Sequence, residues 1–212
     1  AHPRLKLVDF KRPVAVLPNL AIHLNRAMND GVALNAQTDL LPICGMDEHM
    51  DTDTFLQILA NETGEKPEDI LCFDLSVYHY AEPVRTGFSG DMFMAPRIDN
   101  ISSVQACLTG LIEANPSDGI SVAVLFDHEE IGSRSKNGAN GNLLSYTLER
   151  ICNALNISRE NFLQSLVHSY YLSLDVAHAI HPAHPEKSDI TSAMPLNRGF
   201  AIKASAKHAY CS

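Results

Sequence analysis

Four stretches of the chain carry a helical rhythm. "DTDTFLQILANETG" (51–64) sets Phe55, Ile58 and Leu59 on one side, behind an acidic first turn, and Gly64 supplies the stop. "ISSVQACLTGLIEA" (101–114) groups Ile101, Val104, Leu108, Leu111 and Ile112, and Asn115-Pro116 ends it. "NLLSYTLERICNAL" (142–155) places Leu143, Leu144, Thr147, Leu148, Ile151, Cys152 and Leu155 together. "SRENFLQSLVHS" (158–169) opens on Ser158, three residues ahead of Asn161, the spacing of an N-cap. Other stretches read as strands. "LNAQTDLLPICGM" (34–46) suggests a short strand and a turn. "KPEDILCFDLSVYHY" (66–80) runs from a Pro-initiated turn into alternating Phe73, Leu75 and Val77. "DMFMAPRIDN" (91–100) is an extended segment ending in a polar corner. "ISVAVLF" (120–126) is continuously apolar, as a strand covered on both faces is. "YYLSL" (170–174) is a further strand. "RPVAVLPNLAIHLNRAM" (12–28) is apolar but broken by Pro13 and Pro18.

From about residue 85 the order is strand, helix, strand, helix, helix, strand. That order predicts an α/β fold: a parallel or mixed sheet with flanking helices. Ligands of such sheets bind at the carboxyl ends of strands. The residues expected there are Asp99 after the first segment, Asp127, His128, Glu129 and Glu130 after the second, and Asp175 and His178 after the third. Acids are thus expected to collect on one rim. Crowded carboxylates repel one another, and a divalent metal offsets that repulsion. Two-metal hydrolases combine a bridging carboxylate, terminal Asp, Glu or His ligands and a separate general base. Adjacent glutamates suit that division: one turned to metal, the next to water.

Composition narrows the choice of partners. Net charge is −9 and there is no basic stripe, which argues against nucleic acid and anionic membrane. No apolar stretch is long enough to span a bilayer, and no secretory signal pattern is present. The five cysteines are dispersed and never form CxxC. Three lie in apolar patterns, which predicts buried free thiols in a reducing, cytoplasmic setting rather than a cysteine-bound zinc. The start on Ala1 and the stop at "KHAYCS" suggest an engineered piece, a proteolytic fragment or a partial gene product.

"APRIDNISSVQACLTGL", "LFDHEEIGSRSKNGA" and "LDVAHAIHP", in this order and spacing, resemble the aspartyl aminopeptidase family of dinuclear zinc exopeptidases. "NLAIHLNR" and "GFAIKASAKHAY" resemble it too, so the likeness runs over essentially the whole chain. The resemblance implies two Zn2+ ions per active site. Asp99 would bridge them, Glu130 and Asp175 would each bind one, and Glu129 would be the general base that activates the bridging water. His23 would reach into a neighbouring subunit's active site, and Lys203 matches a position associated with substrate binding. The family removes Asp or Glu from peptide N-termini and assembles into tetrahedral dodecamers built on dimers. Its catalytic domain carries an inserted dimerisation domain, which would take up residues 1–72 in part and leave 73–212 as the central part of the catalytic domain.

Two departures stand beside these matches. The family's first metal-binding histidine lies in a "HTDSP"-like motif and its last in an "MHS"-like motif, and this chain has neither. Each metal would lose one imidazole, so the polypeptide is expected to be inactive alone. A smaller departure is Ser188-Asp189, where the family usually continues His-Glu. Two rival readings follow. One is a non-catalytic assembly or regulatory subunit derived from the same family. The other is a metal-free carboxylate-pair glycosidase, which adjacent Glu129 and Glu130 and the absence of Trp fit poorly. His178, His181 and His184 form H-x2-H-x2-H, but Pro182 and Pro185 keep the rings off one helical face, which favours a structural role. The loop "GSRSKNGANG" lacks the P-loop and dinucleotide signatures and reads as shaping the site.

Overall fold

The computed structural model describes residues 2–47, 49–116, 119–189 and 191–203. The chain divides into two units, one running to Pro96 and the other beginning at Arg97.

The first unit is organised around helix α1 (Thr52–Thr63). Asp51 caps it: one carboxylate oxygen accepts from the Thr54 amide and from the Thr54 hydroxyl, both at 2.8 Å. Those two bonds hold the Asp51 carboxyl below its ordinary pKa, the amide bond contributing most. At the other end Gly64 turns left-handed (φ 68°), a conformation that costs a side-chain-bearing residue energy and glycine none. The Lys6 ammonium donates to the Thr63 carbonyl at 2.9 Å and pairs with Glu65, placing a cation where the helix carbonyls end. Arg12 bonds Glu62 at 2.5 Å on the same helix. Tyr78 and Tyr80 donate to the Asp9 carboxylate and the Lys11 carbonyl, 2.9 and 2.7 Å away. Phe73 meets Phe55 edge-on, with 5.6 Å between ring centroids. Leu59 and Ala60, 2% and 0% exposed, are the buried apolar residues among those described. Strands β1 (Val84–Thr86) and β2 (Met92–Met94) form an antiparallel hairpin in the register Val84 to Met94, Arg85 to Phe93 and Thr86 to Met92.

The second unit is helical where it is regular. Helix α2 (Ile98–Glu113) follows a left-handed Arg97 (φ 57°), and its regular turns begin only after Asp99 and Asn100, which have non-helical dihedrals. Helices α3 (Leu143–Ala154) and α4 (Arg159–His168) are joined by a short turn through a left-handed Asn156 and tied by Arg159 to Glu149 at 2.8 Å. Ser158 caps α4, its hydroxyl accepting from the Asn161 amide at 3.2 Å.

All four expected helices are present, and the α/β class holds. The strands are largely different from expectation. Residues 92–94 do form a strand, but its partner is antiparallel. Residues 34–46 contribute a single bridge, Ile43 to Val16. Residues 73–77, 120–126 and 170–174 join no ladder among the described residues. The reason is physical: a helix satisfies its own backbone, whereas a strand exists only against a partner. The apolar stripe of α1 is covered at Leu59, whereas that of α2 is formed yet largely uncovered. Ile101 and Ile112 are 59% and 81% exposed, and in the run 120–126 Ile120, Val122 and Leu125 are about half exposed. The cysteines share that fate. Cys44 and Cys72 are exposed and Cys107 and Cys152 half-buried, so the described thiols are free as expected but not buried; Cys211 lies outside the described residues.

Candidate active site

The chemistry-bearing segment 127–141 is a turn that bonds to itself. Across its base the Asp127 amide donates to the Asn137 carbonyl at 3.2 Å. The Asp127 carboxylate accepts from the His128 amide at 2.8 Å. His128 is left-handed (φ 60°), which reverses the chain. Its carbonyl accepts from Ser133 at 2.9 Å, and the Glu129 carbonyl accepts from Gly132 at 2.8 Å. The His128 ring is held on both sides. Nδ1 lies 2.6 Å from the Ser135 hydroxyl, and Nε2 lies 3.4 Å from the Asp127 carboxylate. Further along, Asn140 donates to the Ser133 carbonyl at 3.1 Å. Gly138 sits so close to that carbonyl that a Cβ there would fall 2.3 Å from the oxygen. Glu129 and Glu130 are both exposed on this turn.

The other expected site residues stand as follows. Asp99 is exposed, at the non-helical start of α2, and its peptide bond to Asn100 is cis. Asp175 accepts from the Lys203 ammonium at 2.9 Å and from the Val176 amide at 2.8 Å. The Lys203 bond is the main reason its carboxyl is held below the ordinary value; the Val176 amide and the nearby His178 add to it, against slight burial. His23 belongs to the first unit and is exposed, in a turn closed by the amides of Leu24 and Asn25 on the Ala21 carbonyl. His181 and His184 lie with rings 5.2 Å apart, and His184 bonds Glu186 at 3.2 Å.

The expectation that the acids gather on one rim is not met. Among the described residues no three His, Cys, Asp or Glu side chains come together as a metal would require. The cause is the missing ladder, since strand ends converge only when strands lie side by side. The donor types suit zinc, but among the described residues they are not brought together. Two of the contacts carry no signal in the sequence. Lys203 and Asp175 lie 28 positions apart, and Ser135 is one of two serines in a polar loop.

The matched family model settles the family: it covers residues 3–212 and describes the aminopeptidase I zinc metalloproteases, M18. The chain belongs to the M18 family. The resemblance drawn from the motifs therefore holds at that level. Among curated M18 proteins, the probable M18 family aminopeptidase 2 of Clostridium novyi (strain NT) is 42% identical over 212 residues, which is 99% of this chain and 49% of that protein. Its counterpart in Clostridium acetobutylicum is 41% identical over the same shares. The chain spans about half the length of the curated relatives it matches. Among solved structures, Ape4 in complex with Nbr1 is similar with a TM-score of 0.73 and 29% identity, over 90% of this chain and 41% of that one. Chaetomium thermophilum mApe1 gives a TM-score of 0.73 and 27% identity, over 91% and 48%. This M18 chain thus shares the fold of solved M18 aminopeptidase structures, and no helix among the described residues is long and apolar enough to cross a membrane.

Proposed function

We propose that this chain is the central part of a zinc metallo-aminopeptidase that releases N-terminal Asp or Glu from peptides in the cytoplasm. The observation that carries the reading is the match over residues 3–212, with Glu129 and Glu130 presented on a turn that is ordered by its own bonds. In the whole enzyme Asp99, Glu130 and Asp175 would be the carboxylates that hold two Zn2+ ions, which would supply Lewis-acid polarisation of the scissile carbonyl. Glu129 acts as general base. It takes a proton from the attacking water and delivers it to the leaving amine as the carbon–nitrogen bond breaks. Lys203 offers a cation for the acidic side chain of the substrate, and His23 contributes from a neighbouring subunit. Residues 1–72 belong in part to the dimerisation domain and 73–212 to the catalytic domain, in a homo-oligomer built on dimers that reaches a dodecamer.

The test uses the full-length gene product and aminoacyl-anilides of Asp, Glu, Ala and Leu. Cleavage is expected for the acidic pair, to be abolished by chelation and restored by zinc. Glu129→Gln should retain metal and lose at least about 100-fold in kcat. Substantial turnover by that variant sinks the assignment, and a preference for Leu sinks the specificity. A non-catalytic assembly subunit of the same family is the second reading, favoured by the absence of a three-donor cluster among the described residues. The intact mass of the natural gene product separates the two: a mass well above 23.2 kDa favours the enzyme, and a mass near it favours the subunit.

A further inference from the structure

The geometry points to His128 and Ser135 as a positioning pair that sets the direction of Glu129, an inference that rests on the reading of Glu129 as general base. Glu129 follows His128 directly, so its side-chain direction depends on how the His128 backbone is held. That backbone is fixed at both ends. Its amide donates to the Asp127 carboxylate at 2.8 Å and its carbonyl accepts from Ser133 at 2.9 Å, with φ at 60°. A left-handed residue other than glycine costs energy and persists where its surroundings hold it. The surroundings here are the ring contacts: the Ser135 hydroxyl on Nδ1 at 2.6 Å and the Asp127 carboxylate near Nε2 at 3.4 Å. Nδ1 is engaged by Ser135 and Nε2 faces Asp127 within the loop, which suits a residue that orients its neighbour. The Glu129 carbonyl is held in turn by the Gly132 amide at 2.8 Å. The general base is therefore carried between two fixed peptides, and the seven-residue span from His128 to Ser135 closes the turn through a side-chain bond.

The experiment compares the full-length enzyme with Ser135→Ala, Ser135→Thr, His128→Asn and the double variant His128→Asn/Ser135→Ala. Asparagine tolerates the left-handed conformation, so His128→Asn removes the ring and keeps the backbone. Ser135→Ala is expected to lower kcat about tenfold, the worth of one hydrogen bond, with KM and bound zinc unchanged. Ser135→Thr, which keeps the hydroxyl, should return kcat to within about twofold of wild type, and the double variant should be no slower than His128→Asn alone. Hydrogen exchange at the Gly132 and Ser133 amides should quicken in Ser135→Ala. Unchanged kcat, a loss that appears in KM or zinc content instead, or failure of Ser135→Thr to rescue overturns the pairing while leaving the aminopeptidase reading intact. A zinc-loaded wild type that cleaves no peptide overturns the aminopeptidase reading itself, and the pairing with it.

Discussion

Gly138→Ala probes how closely the turn at 127–141 is packed against itself. A Cβ at residue 138 would lie 2.3 Å from the Ser133 carbonyl oxygen and 2.5 Å from its carbon, and Cβ contacts essentially never fall under 3.0 Å. The Ser133 backbone must therefore retreat by about 0.7 Å. Ser133 cannot move alone, because its amide donates to His128 and its carbonyl accepts from Asn140. The displacement passes to His128 and so to Glu129. A misplacement of about 1 Å in a catalytic arrangement costs on the order of 100-fold, so the variant should lose about 10- to 100-fold in kcat, or roughly 1.4 to 2.7 kcal/mol of transition-state stabilisation. The assay is steady-state hydrolysis of an acidic aminoacyl-anilide by the full-length protein, with zinc content measured on the same samples. Gly110→Ala is the control. Gly110 lies inside α2 with nothing within 4 Å of the added methyl, so that change should leave kcat alone and favour the helix by about 0.5–1 kcal/mol. A Gly138→Ala enzyme with wild-type kcat would refute the claim that the turn positions the base.

Three further outcomes are expected. Ser158→Ala removes the hydroxyl that accepts from the Asn161 amide and should weaken α4 by about 1 kcal/mol, read as a loss of helical circular dichroism in the chain; an unchanged spectrum on heating contradicts it. In the metal-free chain the Lys203 bond depresses the Asp175 carboxyl below 3.8, so the tie between these residues is complete above that pH and fades as pH falls through the folded value; Lys203→Met should raise the titration of Asp175 toward 3.8 in carboxyl NMR, and an unmoved titration refutes the bond. The isolated chain, dialysed against zinc, should retain less than one tightly held equivalent, because no three donors gather among the described residues; stoichiometric tight binding would show that they do.

What could be read from the sequence follows the distance over which each feature is determined. Gly64 and Ser158 mark helix ends because capping acts within four residues, and each behaves as its position suggested. The run 120–126 was read as a covered strand because its composition is that of one, yet a strand's partner lies elsewhere in sequence and its period carries no information about whether that partner is present. The gathering of Asp99, Glu130 and Asp175 depended on the same missing ladder. His128 with Ser135 went unread because the loop offers Ser133 as well, and nothing local distinguishes the two until the chain turns at φ 60°.

The self-bonded turn also has a kinetic meaning. None of the hydrogen bonds described within 127–141 spans more than the ten positions that separate Asp127 from Asn137. Closing a loop of about ten residues takes on the order of 10–100 ns, and its entropic cost is small beside that of joining distant strands. Sheet formation must wait for remote segments to meet, whereas this turn waits for nothing beyond its own sequence. The short reach of its bonds therefore lets the 127–141 turn close before any pairing between segments remote in sequence.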